Sequence, residues 1–244
     1  MSMLSNFRRL SLLAVALAIG ALLAGCGSSS SSSSSGDSDF TGTAYPGIDL
    51  ANTRQAKGEI ESGNVNKLQE SWSVPIEGTG VYGSYAWAPI VANGVVYSQD
   101  LESNVQALDL ESGDVLWTKK YEAPSHGPNG LTVAEGHVYG TTSSEAFALD
   151  QETGKELWKT AIGDWKAGYY ITLAPLAIDG KILVGSSGGE LGVRGFVAAL
   201  DAETGKEIWR TYTIPGKGEP GYDSWPEGMT EHGGAPVWLT GTYD

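Results

Sequence analysis

The chain has 244 residues with 15 Lys and Arg against 29 Asp and Glu, so its net charge is −14. This acidity excludes a protein that binds nucleic acid by neutralising phosphates, which requires clustered basic residues. The single cysteine, Cys26, excludes an internal disulfide, and the scattered His126, His137 and His232 indicate ordinary loop or surface histidines rather than a zinc cluster.

The first 25 residues have the features of an export signal. Arg8 and Arg9 precede an apolar run over Leu10–Ala24, which ends at Leu23-Ala24-Gly25-Cys26. This box resembles the bacterial lipobox, where the peptidase cuts before a cysteine that carries lipid. An ordinary signal peptide and a membrane-spanning helix are the alternatives, but the run is short for a span. We therefore predict a lipoprotein held outside the cytoplasm at the cell membrane by lipid on Cys26.

A serine-rich tether follows over residues 26–40. Gly27–Asp39 is almost entirely serine, with some glycine and aspartate and no apolar side chain. Such a segment has no apolar surface whose burial could offset the entropy of ordering. The sequence predicts a flexible spacer, and residues 41–244 are predicted to hold the folded repeats.

Three eleven-residue segments repeat without gaps: Ala107–Trp117, Ala148–Trp158 and Ala199–Trp209. Each segment begins with Ala-Leu-Asp, has Gly as its seventh residue and ends with Trp as its eleventh. Most of the residues between these positions differ from one segment to the next. Trp72 begins the series, and successive tryptophans are 45, 41 and 51 residues apart. A period near this length fits four short antiparallel strands, which is one propeller blade.

The segment itself explains why it would form a strand pair. Val95-Val96-Tyr97 and its counterparts are β-formers, and the Asp-to-Gly stretch is typical of a tight turn. The period and the absence of helical apolar spacing exclude leucine-rich and helical repeats. We therefore predict an all-β propeller with Trp117, Trp158 and Trp209 buried at blade joints, each near the turn of its own segment.

The repeat resembles the tryptophan-docking motif of quinoprotein alcohol dehydrogenases. Their eight-bladed β-propeller holds pyrroloquinoline quinone (PQQ) and a calcium ion. The resemblance extends over about residues 45–244, and Ile48–Arg54 and Asn64–Trp72 are similar to the opening sequence of that family. Only three to four blades are present, so we expect the chain to be an N-terminal fragment of a longer protein.

Two further segments carry the resemblance into the cofactor site. Gly188–Gly195 lengthens the third repeat and resembles the family segment whose glutamate binds calcium beside the quinone. The resemblance implies that Glu190 is the calcium ligand and contacts the cofactor. Gly233–Trp238 resembles the glycine-rich segment whose tryptophan lies under the quinone ring. The resemblance implies that Trp238 binds the cofactor in this way. The residues by themselves also allow a solvated loop carboxylate at Glu190 and a docking or core residue at Trp238.

One segment departs from the family. The enzymes commonly have adjacent cysteines and then Asn-Arg-Gly, whereas the matching stretch here, Ser125–Gly130, has neither a cysteine pair nor an arginine. The family's catalytic aspartate and calcium-binding asparagine would lie beyond Asp244, so the catalytic residue of this protein is unknown.

Two functions remain open at this point. The resemblance implies a PQQ- and calcium-dependent dehydrogenase that oxidises alcohols or sugars outside the cytoplasm and passes electrons to an acceptor or protein partner. The alternative is a non-enzymatic lipoprotein propeller that acts as an envelope assembly or interaction scaffold, which the lipobox and the missing cysteine pair and arginine favour. In both, Cys26 brings the protein to membrane lipid, and no nucleic-acid partner is expected.

Overall fold

The computed structural model describes residues 44–56, 58–84, 87–123, 125–127 and 130–244. The predicted signal, Cys26 and the serine-rich tether lie outside these ranges. Among the described residues, no helix has the length and apolar character needed to cross a membrane.

The described chain is built from three four-stranded antiparallel sheets, as the repeat predicted. In each sheet the strands are hydrogen-bonded in sequence order, so each is a simple meander. The strands are β1 (Ile90–Ala92), β2 (Val95–Gln99), β3 (Val105–Asp109), β4 (Val115–Lys119), β5 (Thr132–Ala134), β6 (His137–Thr141), β7 (Glu145–Asp150), β8 (Glu156–Ala161), β9 (Leu176–Ile178), β10 (Lys181–Gly185), β11 (Phe196–Asp201) and β12 (Glu207–Tyr212). We call the sheets blades 1, 2 and 3.

The blades stand side by side through their first strands. Strand β5 contacts both β1 and β9, so the first strand of each blade is innermost and the fourth is outermost. The remaining regular elements of the described chain are 3₁₀ turns of three residues, at Val65–Lys67, Trp165–Ala167, Gly189–Leu191, Tyr222–Ser224 and Thr230–His232. This arrangement confirms the all-β propeller architecture.

Apolar side chains fill each joint between neighbouring blades. One cluster joins blades 1 and 2 around the fully buried Phe147, and a second joins blades 2 and 3 around Tyr139 and Phe196. The faces of these sheets are therefore covered by the next blade rather than by helices, and blade packing is the main source of hydrophobic stabilisation.

The turn between the third and fourth strands has one geometry in all three blades. In blade 2, the Asp150 carboxylate accepts bonds from the Thr153 backbone N–H at 2.8 Å and the Thr153 hydroxyl at 2.5 Å, and the Gly154 N–H donates to the Asp150 carbonyl. Gly154 has φ +68°, which a glycine adopts without steric cost. Backbone donors also meet the carboxylates of Asp109 and Asp201.

Three of the tryptophans, Trp72, Trp117 and Trp158, contact the turn of the blade that follows them in the chain. The Trp158 indole N–H donates to the Ala202 carbonyl at 2.8 Å, and its ring lies against Gly205. The same two contacts join Trp72 to Leu110 and Gly113, and Trp117 to Gln151 and Gly154. The expectation that the indole lies near its own turn is therefore wrong for Trp117 and Trp158. In both, the ring contacts the next blade while the tryptophan's backbone pairs with the alanine of its own segment.

A tryptophan of this series is buried where the turn of the following blade covers its indole. Trp158 is 8 % exposed and Trp117 is half-buried, but Trp209 is 42 % exposed. The expected burial of Trp209 is thus not observed, because the described residues contain no further turn of this type on which its indole could dock.

Candidate functional site

The insertion of the third repeat forms one wall of a cleft at the end of the blades. The cleft has a volume of about 370 Å³ and lies where β10 ends and the chain approaches β9. Side chains from five separate segments line it: Tyr82, His126, Tyr170, Ser187, Glu190 and Trp238. Glu190 and Trp238, 48 residues apart in the sequence, are thus neighbours of a single cavity.

Glycines determine the path of the loop that carries Glu190. The residue lies on the 3₁₀ turn Gly189–Leu191, between Gly188 with φ +94° and Gly192 with φ +70°. A Cβ at Gly188 would be 2.0 Å from the Gly168 carbonyl oxygen, so a larger residue cannot be accommodated. The result is a tight loop with an exposed carboxylate.

Main-chain bonds attach the glycine-rich segment to this loop. The Gly195 N–H donates to the Gly234 carbonyl, and the Gly234 N–H donates to the Val193 carbonyl, both at 2.8 Å. Arg194 and Gly234 form an isolated parallel bridge. These bonds explain why Trp238, four residues after Gly234, reaches the cleft that contains Glu190.

A pair of hydroxyl groups lies on the floor of the cleft. The oxygens of Thr172 and Ser187 are 2.6 Å apart, and the Thr172 hydroxyl also donates to the Trp238 carbonyl at 3.4 Å. Ser187 is buried, and its N–H donates to the Tyr170 carbonyl at 2.6 Å. The segment before β9 is therefore bonded to both the insertion and the glycine-rich segment.

Tyr170 is the direct partner of Glu190. Its hydroxyl donates to Glu190 Oε1 at 2.5 Å. This bond, with smaller contributions from a backbone N–H and from the charge of nearby His126, holds the pKa of the Glu190 carboxyl below its ordinary value. The same bond, together with desolvation, raises the pKa of Tyr170 to about 12. At neutral pH the pair is an ionised carboxylate and a neutral phenol.

His126 lies on the other side of Tyr170. Its ring stacks on the phenol ring with 4.9 Å between ring centres and 17° between ring planes. It is exposed, as a surface histidine was expected to be, but it lines the cleft at the stretch where the family commonly has its cysteine pair. In the same stretch, Pro128 and Asn129 lie outside the described residues.

The remaining histidines take part in loop contacts. His137 stacks on Tyr139, and a ring nitrogen of His232 is 3.1 Å from the Gly192 carbonyl. Among the described residues, no three His, Cys, Asp or Glu side chains converge on a point that could hold a metal.

The donor set of the cleft fits one portion of a hard-cation site. Calcium takes six to eight oxygen ligands, and the cleft offers the exposed Glu190 carboxylate on a loop between Gly188 and Gly192. The Trp238 indole supplies a planar face, 52 % exposed, that suits a planar ring system. Other ligands would have to come from elsewhere in the holoprotein, so the described residues fit part of the implied site.

Sequence reasoning identified two cleft residues and missed others. Tyr170, Thr172 and Ser187 were not singled out because neither the eleven-residue repeat nor the glycine-rich motifs mark them. The signal that could have found Ser187 is its adjacency to the insertion at Gly188. Nothing local marks Tyr170, because its bond to Glu190 spans 20 residues.

Comparison with known proteins identifies quinoprotein dehydrogenases as relatives of this chain. The sequence model of the family described as "Outer membrane protein assembly factor BamB" matches residues 56–219. The chain is 36 % identical over 197 residues to "Quinohemoprotein alcohol dehydrogenase ADH-IIG" of Pseudomonas putida, covering 76 % of this chain and 26 % of that protein. It is 33 % identical to the "Lanthanide-dependent methanol dehydrogenase" of Methylacidiphilum fumariolicum, covering 80 % of this chain and 36 % of that protein.

A solved structure has the same fold. The "Europium-containing methanol dehydrogenase" superimposes with a TM-score of 0.76 at 30 % identity, covering 83 % of this chain and 40 % of that chain. The chain thus spans well under half the length of these relatives. Since the family model matches more than half of the chain and the relatives share its blades, the chain belongs to the quinoprotein-type, PQQ-repeat β-propeller family.

Proposed function

We propose that the chain is the cofactor-binding part of a PQQ- and calcium-dependent dehydrogenase that oxidises alcohols or sugars outside the cytoplasm. The observation that carries the proposal is the meeting of Glu190 and Trp238 in one cleft, on two segments joined by main-chain bonds. A loop carboxylate and a planar indole in one cavity suit a hard cation beside a planar acid.

Each residue has a separate task in this proposal. Glu190 binds the calcium ion, or another hard cation, through an ionised carboxylate. Trp238 supports one face of the quinone by stacking. When bound, the cation and the quinone would together supply an electrophilic acceptor for hydride from the substrate. Tyr170 keeps Glu190 charged by donating to its carboxylate.

The relatives support the reaction class and an electron acceptor. Several are named as alcohol or methanol dehydrogenases, among them "Methanol dehydrogenase [cytochrome c] subunit 1" of Methylorubrum extorquens, 32 % identical over 227 residues. We extend to this protein a redox partner that takes electrons from the reduced cofactor.

The scaffold alternative is favoured by the lipobox, by the missing cysteine pair and arginine in Ser125–Gly130, and by the description of the matching family as an outer-membrane assembly factor. It makes no use of a carboxylate and an indole in one cleft, and the relatives named above are dehydrogenases at 32–36 % identity. The enzyme is therefore the function we favour, and binding of PQQ distinguishes the two.

Export and membrane anchoring are part of the proposal. The box at Cys26 and the serine-rich Gly27–Asp39 favour a lipid-anchored protein whose propeller stands away from the membrane outside the cytoplasm.

The decisive experiment is reconstitution with PQQ and calcium. We expect the complete protein that contains this chain to bind PQQ in a calcium-dependent manner, measured by absorbance, and to support dye-linked oxidation of alcohols or sugars. Glu190→Gln should abolish the calcium dependence, whereas Glu227→Gln, which neutralises an exposed carboxylate away from the cleft, should not. Absence of PQQ binding, with wild type and Glu190→Gln indistinguishable, would leave the scaffold function.

A further inference from the structure

The Glu190 carboxylate lies on a fixed backbone, but its own side chain is exposed. Gly188 and Gly192 determine the course of the loop, yet they place no atoms around the carboxylate. An exposed glutamate samples several rotamers, and ordering it for a metal costs conformational entropy. A side chain outside the loop is therefore needed to hold the carboxylate in one orientation before a metal ion binds.

Tyr170 provides this orientation from a separate segment. Its hydroxyl donates to Oε1 of Glu190, and its backbone carbonyl accepts the N–H of buried Ser187. The phenol is thus anchored to the same loop by its main chain and by its side chain. The bond to Oε1 limits the rotamers of the Glu190 side chain, so the carboxylate is held in one orientation.

His126 fixes the ring of Tyr170. The two rings are stacked with centres 4.9 Å apart, and the adjacent Ser125 is buried, with its N–H donating to the Leu101 carbonyl at 2.9 Å. The histidine is therefore presented by an anchored backbone. Stacking on one face restricts rotation of the phenol about its side-chain bonds.

We propose that Tyr170 is a positioning residue that orients Glu190 for metal binding, and that His126 supports it by stacking. This inference rests on the proposed function, because it assumes that Glu190 is a metal ligand. Residues that orient metal ligands affect affinity without touching the ion, and their loss lowers metal affinity about 10-fold to 100-fold.

The test is titration of the full chain with terbium, followed by luminescence sensitised through the aromatic side chains. Tyr170→Phe should weaken terbium binding about 10-fold or more while circular dichroism stays unchanged. Tyr222→Phe, which removes the hydroxyl of a partly exposed tyrosine on a different turn, should bind as wild type. His126→Ala should weaken binding, and His126→Phe should restore it, because stacking needs a ring and not an imidazole.

The variants separate the two hypotheses. If Glu190→Gln loses terbium but Tyr170→Phe binds as wild type, the positioning role is wrong and the metal site stands. If Glu190→Gln binds terbium as tightly as wild type, the metal site and the positioning role both fail. Equal loss in His126→Ala and His126→Phe would overturn the stacking role of the histidine.

Discussion

The indole of Trp158 lies so close to Gly205 that a Cβ on this glycine would be 2.5 Å from the ring. The two residues belong to neighbouring blades, and a hydrogen bond from the indole N–H to Ala202 accompanies the contact. Gly205 is therefore required for two reasons. It adopts a positive φ of 68°, and its lack of a side chain leaves room for the Trp158 ring of the preceding blade.

Truncation of Trp158 should be strongly destabilising. Trp158→Ala removes a buried indole and leaves a cavity, so we expect a loss of about 3–5 kcal/mol in the free energy of unfolding. Trp209→Ala, in the same position of a blade with no following turn among the described residues, should cost about 1 kcal/mol. Urea unfolding followed by circular dichroism measures both, and equal losses would contradict the docking arrangement.

Substitution of the turn glycine should have a similar effect from the other side of the joint. Gly205→Ala introduces a methyl group against the Trp158 ring and a strained positive φ, so the midpoint of thermal unfolding should fall. Gly63→Ala is the matched control, since a Cβ added at Gly63 would have no atom within 4 Å. A Gly205→Ala variant as stable as Gly63→Ala would be evidence against close docking.

Acid should destabilise the three turns together. The pKa of Asp150 is lowered by bonds from the Thr153 hydroxyl and N–H, and the pKa values of the Asp109 and Asp201 carboxyls are lowered by corresponding bonds. Since the folded-state pKa lies below the unfolded one, this stabilisation is complete above about pH 4 and is lost as pH falls through the folded-state values.

The measurement is the free energy of unfolding between about pH 2 and pH 7, a range that spans the ordinary aspartate pKa. Replacing all three aspartates by asparagine keeps an acceptor for the turn N–H but removes the titrating charge, so the decline below about pH 4 should become shallower. An identical pH profile for the wild type and the triple variant would refute the role of these carboxylates.

The contact between the insertion and the glycine-rich segment should be needed for the cleft. A Cβ at Gly195 would be 2.1 Å from the Ala235 carbonyl oxygen, which is backbone and cannot rotate away. Gly195→Ala should therefore separate Glu190 from Trp238 and lower metal affinity about 10-fold or more. Calorimetric titration with calcium tests this against Gly63→Ala, and unchanged affinity would show that the two segments act independently.

Lipid anchoring is tested at Cys26. Mass spectrometry of the membrane fraction should find acyl chains on this residue, and Cys26→Ser should release the protein from the membrane or block its processing. A product that begins elsewhere and partitions identically in wild type and Cys26→Ser would rule out the lipobox.

The strand-turn-strand pattern of each blade could be predicted from the sequence alone. The eleven-residue segments encode a strand, a turn and a second strand through local preferences, so their number and bounds were predictable from period and turn chemistry. The roles of Glu190 and Trp238 were implied by the resemblance of their glycine-rich segments to those of the family. Their meeting in one cleft was an expectation from resemblance, and the three-dimensional arrangement of the segments was needed to give it a physical basis.

The turn that each tryptophan contacts and the residue that hydrogen-bonds Glu190 could be identified only from the three-dimensional structure. Trp158 crosses to the turn of the next blade, 47 residues on at Gly205, because blades bury their faces against one another and not against themselves. Tyr170 meets Glu190 because a loop and the segment before β9 converge at one end of blade 3. Such contacts depend on how elements pack, and packing across a joint leaves no periodic trace in either segment.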